Sequence, residues 1–340
     1  MRDLARELFA PLDARRRAAA LARTARRPGR IVVGPWHSEI GFELLYWIPM
    51  LRHALEAAGV GPERVTAVSR GGVASWYEGI AGEYVDLLDH VSVDELRALH
   101  SEREKAFGVQ KQLGPLKSEE QLLERMVPGY RESATLIHPS AMYRLFHFFF
   151  GPAQPISIVE RNTMHRPIVS PEHEPVPLDD QPAEYVAVKA YFSSCFPDNP
   201  ANREFVTDLV KRIAEEREVV LLDTGLRLDD HDDFHLDRPN VHSLRDSLPP
   251  ERNLAIQTQM IAGADALVST YGGFSYLGPY LGVPSLCFYS DDNFNHGHLD
   301  VMRRAGRELA DVGAGAPFVP LRTGEVDPVA ALGRAIGGAG

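Results

Sequence analysis

Residues 264–290 read ADALVSTYGGFSYLGPYLGVPSLCFYS, and their reading decides the fold. Ala266, Leu267 and Val268 form a short apolar run closed by small polar residues, and Ser285 to Tyr289 form a second. A helix-length segment joins them, so the stretch predicts a strand, a turn, a helix and a parallel strand. The turn is Ser269-Thr270-Tyr271-Gly272-Gly273. Two glycines ahead of a helix let the backbone pass close to a ligand and aim the first free N–H groups and the positive end of the helix dipole at it. A diphosphate would be well held by Gly272, Gly273 and the Phe274 amide, with the Thr270 and Ser275 hydroxyls and Tyr271 around them. The same pair of glycines also serves a plain tight turn, and both readings stay open.

Working back from this stretch, the alternation continues. A helix from Glu251 to Gly263 precedes it, and short strands are predicted at Asn240–Leu244, Val219–Leu222 and Tyr185–Lys189, with a helix from Asn202 to Glu216. The strand ends offer Lys189, then Ser193 and Ser194 in the loop beyond it, Thr224 and Gly225, and His242; ligands of doubly wound sheets gather at such ends. Between Arg166 and Ala183 stand Pro167, Pro171, Pro175, Pro177 and Pro182, the composition of a stiff linker. Before it, Arg30–Gly34 reads as a strand, followed by a loop and a helix that starts near Ser38–Gly41, is kinked at Pro49 and ends at Gly59. Val65–Ser69 is a strand with a turn at Arg70-Gly71-Gly72 and a helix through Ala81. Val85–Leu88 is another strand, and residues 93–150 read as helical with breaks at Gly114-Pro115 and Pro128-Gly129. His138, Tyr143 and His147 in that region are candidates for an acceptor pocket or for core. The fold class is α/β, two Rossmann-like doubly wound domains facing a cleft, with a leader over 1–29, an acceptor domain over 30–166, a linker over 167–183 and a donor domain over 184–330.

The chain has 340 residues, 44% hydrophobic and 24% charged, with no apolar run near the roughly 20 residues that a membrane span needs. Two cysteines far apart, Cys195 and Cys287, fit a reducing, cytoplasmic setting. Residues 1–30 carry nine arginines against Asp3, Glu7 and Asp13, a surplus of six, which leaves the other 310 residues at −17 in a chain of −11. An acidic body argues against nucleic acid as a partner. The basic leader, with a strip of Leu4, Leu8 and Leu12, suits an anionic membrane face, a partner protein or plain solvation. The run LDDHDDFHLD (228–237) holds Asp229, Asp230, His231, Asp232, Asp233 and His235 without a regular ligand spacing and reads as a solvated acidic loop, so no metal is expected.

The run 253–290, NLAIQTQMIAGADALVSTYGGFSYLGPYLGVPSLCFYS, resembles the carboxyl-terminal domain of GT-B-fold glycosyltransferases, in particular heptosyltransferase-like and fucosyltransferase-like enzymes, and the resemblance extends over 184–290. Residues 34–43, GPWHSEIGFE, are similar to the first loop of these enzymes. The resemblance implies transfer of a sugar from a nucleotide-sugar donor to a hydroxyl of a carbohydrate or glycoconjugate acceptor, inverting and metal-independent, in polysaccharide or glycoconjugate assembly, with the donor as substrate and no cofactor. Such a transfer needs a base for the acceptor hydroxyl and positive potential for the departing diphosphate. Glu39, Glu43 and His37 are the candidate bases, and Lys189 with the Gly272–Ser275 turn supplies the potential. A nucleotide-sugar epimerase of the same fold and a non-catalytic two-domain binding protein are the alternatives.

Overall fold

In the computed structural model, which describes residues 2–152, 154–171, 178, 181–226, 233–245, 248–325 and 327–337, with side chains from Phe9 onward, the chain divides into two units. Unit 1 comprises residues 1–165 and 297–301; unit 2 comprises 166–296 and 302–340.

Unit 1 is built on four parallel strands, β1 (Arg30–Val33), β2 (Val65–Ser69), β3 (Glu83–Asp86) and β4 (Ala134–Ile137), in the order β3-β2-β1-β4. Ile31 stands between Val65 and Thr135, and Val33 between Ala67 and Ile137. β4 lies inside the region expected to be mostly helical. Its four residues sit between a four-residue helix, Tyr130–Ser133, and His138-Pro139, too short to register as a change of period. The kinked helix expected after β1 is three pieces: Ile40–Phe42, a π-helical turn Glu43–Trp47, and Ile48–Ala58 closed by Gly59 at φ 68°. Pro49 lacks the N–H that a regular helix would direct to residue 45, and the widened turn lies just before it. Beyond Gly72 the expected helix is a 3₁₀ stretch, Val73–Tyr77, and β3 begins at Glu83, with Leu87–Asp89 a 3₁₀ turn whose Leu88 amide is capped by Asp86. Two longer helices, Val93–Phe107 and Lys117–Met126, follow; the first opens with a Ser92/Glu95 capping box.

The leader is a helix, Arg2–Ala25, that belongs to unit 1. It docks through Ala10, Ala14, Leu21 and Ala25, all buried, against the Ile48–Ala58 and Ser140–Leu145 helices and β4. Leu12, part of the strip read as suited to a membrane face or a partner, is 54% exposed, and the small residues dock the helix on the opposite side. The Leu4 and Leu8 side chains lie outside the described residues.

Unit 2 carries six parallel strands, β5 (Tyr185–Lys189), β6 (Glu218–Leu221), β7 (Val241–Ser243), β8 (Ala266–Thr270), β9 (Ser285–Tyr289) and β10 (Phe318–Arg322), in the order β10-β9-β8-β5-β6-β7. Counted within the unit this is 3-2-1-4-5-6, the doubly wound dinucleotide-binding order, whose direction of winding reverses between β5 and β8. β5 and β8 are buried along their whole length, as parallel strands covered on both faces must be. Val186, Val188, Val268 and Leu286 pack with Val206, Leu209, Val210 and Ile213 of the Pro200–Ala214 helix and with Ala331 and Leu332. The sequence reading left β10 and the helices His296–Asp311 and Pro328–Gly337 unassigned. The proline-rich segment starts packed on unit 2, where the Ile168 amide donates to the Tyr280 carbonyl; residues 172–177, 179 and 180 lie outside the described residues. Among the described residues no helix is long and apolar enough to cross a membrane.

Candidate functional site

Reversal of strand order opens a crevice beyond the carboxyl ends of β5 and β8, and the sequence places chemistry there. β5 ends in Lys189, and β8 ends in Thr270, Tyr271 and the Gly272-Gly273 turn into the helix Gly273–Tyr280. Lys189 Nζ lies 5.0 Å from the centre of the Phe274 ring, so the end of β5 and the first helical turn adjoin. Within the helix the Gly273 and Phe274 amides have no acceptor four residues back, and the dipole favours an anion at this end. That much of the expected anion site is brought together.

Other members of the expected set are engaged elsewhere. Lys189 is buried; it donates to the Leu222 carbonyl at 2.7 Å and pairs with Asp233 at 2.8 Å, so its charge is neutralised within the protein. Asp233, read from sequence as part of a solvated acidic loop, is thereby the counter-ion of a buried lysine and also accepts from the Thr224 amide at 3.0 Å. Asp229, Asp230, His231 and Asp232 lie outside the described residues. The Thr270 hydroxyl accepts from the Tyr191 amide at 3.0 Å and donates to the Tyr191 carbonyl at 2.8 Å, which ties β5's loop to β8 rather than offering the hydroxyl to a ligand. Ser275 Oγ donates to the Gly272 carbonyl at 2.6 Å and accepts from the Gly272 amide, capping its own helix. Tyr271 is buried against Tyr276, Tyr289 and Phe294. Ser193 and Ser194 form a turn closed by bonds between Ser193 and Phe196, and Ser194 Oγ donates to the Asn293 carbonyl. Gly225, at φ 67°, is an exposed turn residue. His242 bonds Glu218 at 2.9 Å, at the amino end of β6, and so is directed away from the strands' carboxyl ends. At the end of β6 the sequence reading missed Asp223, which holds His235 at 2.6 Å, Ser243 at 2.7 Å and Arg245 at 3.2 Å.

Gly272 has little room for a side chain. A Cβ built on it would lie 2.0 Å from the Tyr191 hydroxyl oxygen. Gly272→Ala is expected to cost about 1–3 kcal/mol, the usual penalty of overpacking, read as a lower urea midpoint. Adding Tyr191→Phe, which removes the clashing oxygen, should recover part of the loss; an unchanged midpoint in the single variant would remove the steric argument.

In unit 1 the order reverses between β1 and β4, and the corresponding crevice is filled by the protein itself. Gly34, at φ 128°, lets the chain pass so close to β2 that an added Cβ would sit 2.3 Å from the Val68 carbonyl oxygen. Beyond it, His37 is buried, and its Nε2 faces Glu119 Oε1 at 2.8 Å. The same oxygen accepts from Arg103 Nη2 at 2.7 Å and Gln112 Nε2 at 3.1 Å; Oε2 accepts from the Leu116 amide at 2.7 Å and faces His138 at 3.4 Å. Gln112 also donates to the Pro35 carbonyl, and His100 bonds the His37 carbonyl while stacking on its ring. The region between β3 and β4 is thus closed over the first loop by one carboxylate. Burial and the nearby Arg103 guanidinium hold His37 down to about 3, so its ring is neutral and enclosed, unsuited to act as a base on a substrate. Burial alone would raise Glu119, but hydrogen bonds from His138 and His37 outweigh it and keep the group well below the usual carboxylate range.

Both shifts have the same consequence for stability. A histidine depressed from 6.5 stabilises the fold above 6.5 and loses that contribution as pH falls toward 3; a depressed carboxylate contributes above 4.5 and loses it on further acidification. His298, lowered to about 4 by burial, acts in the same sense as His37. Melting temperature should therefore fall between pH 7 and pH 5, and His37→Gln should make that fall shallower without abolishing it. Equal slopes in the two proteins would refute the assignment to His37.

Glu43, a candidate base by sequence, is buried within the π-helical turn. Its carboxylate accepts from Ser69 Oγ at 2.7 Å, Tyr77 Oη at 2.7 Å and Arg70 Nη1 at 3.0 Å. Burial raises its pKa, opposed by Arg70, Ser69 and Tyr77, and both oxygens are taken by structural partners. Four residues earlier, Glu39 is exposed at the entry to the Ile40–Phe42 helix, with extended backbone and no side-chain capping bond. Beside it Phe42 packs against Tyr46, Tyr143, Phe150 and His298, with the Lys111 ammonium 4.7 Å over its ring. His138, Tyr143 and His147 do not form one pocket: His138 faces Glu119, Tyr143 is buried by Phe42, and His147 lies 3.7 Å from Asp13 of the first helix.

Comparison with solved structures gives matches over most of the chain. They are to glycosyltransferases of the GT-B kind. The E. coli heptosyltransferase WaaC with ADP is 15% identical, covers 89% of this chain and 97% of its own, and superposes with a TM-score of 0.44. The E. coli ADP-heptose lipopolysaccharide heptosyltransferase II is 11% identical, with 90% and 96% covered and a TM-score of 0.44. A family 9 glycosyl transferase from Veillonella parvula is 15% identical, with 78% and 81% covered and a TM-score of 0.40. No family model and no curated protein matches the chain.

Proposed function

We propose that the chain is a glycosyltransferase that takes a sugar from a nucleotide-sugar donor and passes it to a hydroxyl of a carbohydrate or glycoconjugate acceptor, with inversion and without a metal, in polysaccharide or glycoconjugate assembly. The observation that carries the reading is in unit 2. There the winding order reverses beside a diglycine turn whose helix presents the Gly273 and Phe274 amides at the strands' carboxyl ends. Two N–H groups and a helix dipole suit the diphosphate of a donor, in the ground state and more so as charge develops on the leaving group. The buried Lys189–Asp233 pair acts beneath this turn, fixing the loop after β6 rather than contributing a free cation. In unit 1, Glu39 is the candidate base: of the three candidates read from residues 34–43, Glu43 and His37 are buried and Glu39 is exposed.

A panel of nucleoside diphosphates and nucleotide sugars tests the reading by thermal shift. A ligand at about 100 times its Kd adds about 2.7 kcal/mol to the folded state, a shift of several degrees. No response to any member of the panel would overturn the proposal. A transferase consumes donor only in the presence of acceptor, apart from slow hydrolysis, whereas an epimerase converts donor alone.

Gly273 offers a sharper probe of the amide site. It is the first helical residue after the Gly272 cap, the position at which proline is favoured because its missing N–H breaks no helical bond. Gly273→Pro should leave the melting temperature nearly unchanged and weaken nucleotide binding about tenfold or more, the loss of one hydrogen bond to a charged group. Unchanged affinity would place the diphosphate elsewhere.

A further inference from the structure

We propose that the outer face of the helix Arg2–Ala25 is a docking surface for an anionic lipid bilayer. At about 100° per residue, Ala10, Ala14, Leu21 and Ala25 share one side and are buried on unit 1. The opposite side carries Phe9, Leu12, Arg16, Ala19, Ala20 and Arg23, all exposed, with Arg15 flanking them. Phe9 is 62% and Leu12 54% exposed, high for large apolar side chains on a helix that has a well-buried face available to it. Among the described side chains of the helix the one carboxylate, Asp13, stands at the flank and is bound by Arg17 at 2.6 Å, so the outer face is uniformly basic. The face pairs exposed large apolar side chains with cationic ones, a combination complementary to an anionic bilayer; the remainder of the chain is acidic, so a second copy is the competing occupant that the self-association measurement tests.

Two large apolar groups within one turn, followed by arginines one and three turns along the same face, match the two components of interfacial binding. Phe9 and Leu12 enter the boundary between headgroups and acyl chains, and Arg16 and Arg23 lie against phosphate. The alanines between them keep the helix surface flat, so both components reach the membrane together. The helix is held rigidly by its buried side, and binding therefore sets a fixed orientation of unit 1 on the bilayer. This inference is independent of the transferase reading.

The test is co-sedimentation of the full chain with vesicles of phosphatidylcholine and phosphatidylglycerol, and with vesicles of phosphatidylcholine alone. Binding to the anionic vesicles only, weakened by salt, is expected. Arg16→Gln with Arg23→Gln should weaken it about 25-fold, at about fivefold per arginine. Phe9→Ser with Leu12→Ser should weaken it about tenfold or more through lost apolar insertion. All four positions are exposed, and circular dichroism melts of the variants should match the parent. No binding to anionic vesicles at low salt overturns the proposal, as does binding that neither pair of substitutions reduces. Self-association abolished by Phe9→Ser with Leu12→Ser, in a protein that ignores vesicles, would assign the face to a second copy instead.

Discussion

Glu39→Gln is expected to lower sugar transfer about 10²- to 10⁴-fold, the contribution of a positioned general base, while leaving nucleotide affinity within twofold of the parent. The substitution keeps size and hydrogen-bonding shape and removes only the ability to take a proton. Glu39 is exposed at the entry to a three-residue helix and makes no capping bond, so the change should move the melting temperature by little. Glu43→Gln provides the contrast: it replaces a buried carboxylate that accepts from Ser69, Tyr77 and Arg70 and leaves the Arg70 guanidinium without its charge partner. That variant should lose stability first and activity in consequence, with a lowered melting temperature that Glu39→Gln does not share. The pH profile separates the roles further, since a base at Glu39 gives an acid limb in kcat/KM that disappears in the variant. Full turnover by Glu39→Gln would remove the residue from the mechanism and leave the donor site untouched as a hypothesis.

The difference between these two carboxylates marks where the sequence stopped being legible. Each lies near a predicted helix start, four residues apart, and periodicity treats them alike. What separates them is the π-helical turn at Glu43–Trp47, which carries Glu43 under the end of β2, and no composition rule foretells such a widening beyond the presence of Pro49 shortly after it. The strands of unit 2 were readable because buried parallel strands leave unbroken apolar runs such as Val186–Val188 and Leu267–Val268, closed by small residues. The diglycine turn was readable because few other residues fit beside Tyr191. The engagement of Lys189 with Asp233, 44 residues away, and of His37 with Glu119, 82 residues away, had no local signal. A buried lysine or histidine announces that it needs a partner, but the partner is chosen by packing, and the acidic run 228–237 concealed one among several. β4 escaped notice for a related reason: four residues between two breaks carry too little period to outweigh the helical segments around them.

Glu119→Gln is expected to destabilise unit 1 by about 3–5 kcal/mol, the cost of stranding a buried charge. The carboxylate collects four hydrogen-bond donors on two oxygens, Arg103, His37 and Gln112 on Oε1 and the Leu116 amide on Oε2, and His138 Nε2 faces Oε2 at 3.4 Å. A glutamine has one oxygen and one NH₂, so either orientation sets an N–H group against donors, at Leu116 and His138 or at Arg103, His37 and Gln112. The Arg103 side chain is fully buried and keeps its charge without an anion to meet it. The pair need not add net stability over an apolar core, since taking both ions out of water costs much of what their attraction returns; the penalty comes from removing one of them alone. Arg103→Met with Glu119→Gln should therefore be less damaging than the two single costs added together, by about 1–3 kcal/mol. Strict additivity would show that the two groups do not act as a pair. Because Gln112 and His100 attach the same cluster to the Pro35 and His37 carbonyls, its loss loosens the chain that leads into Glu39. Nucleotide binding at the diglycine turn, a property of unit 2, should survive in Glu119→Gln under conditions where the protein stays folded, and sugar transfer should fall. Loss of nucleotide affinity in step with transfer would instead show general unfolding and would sink the claim that Glu119 positions the first loop.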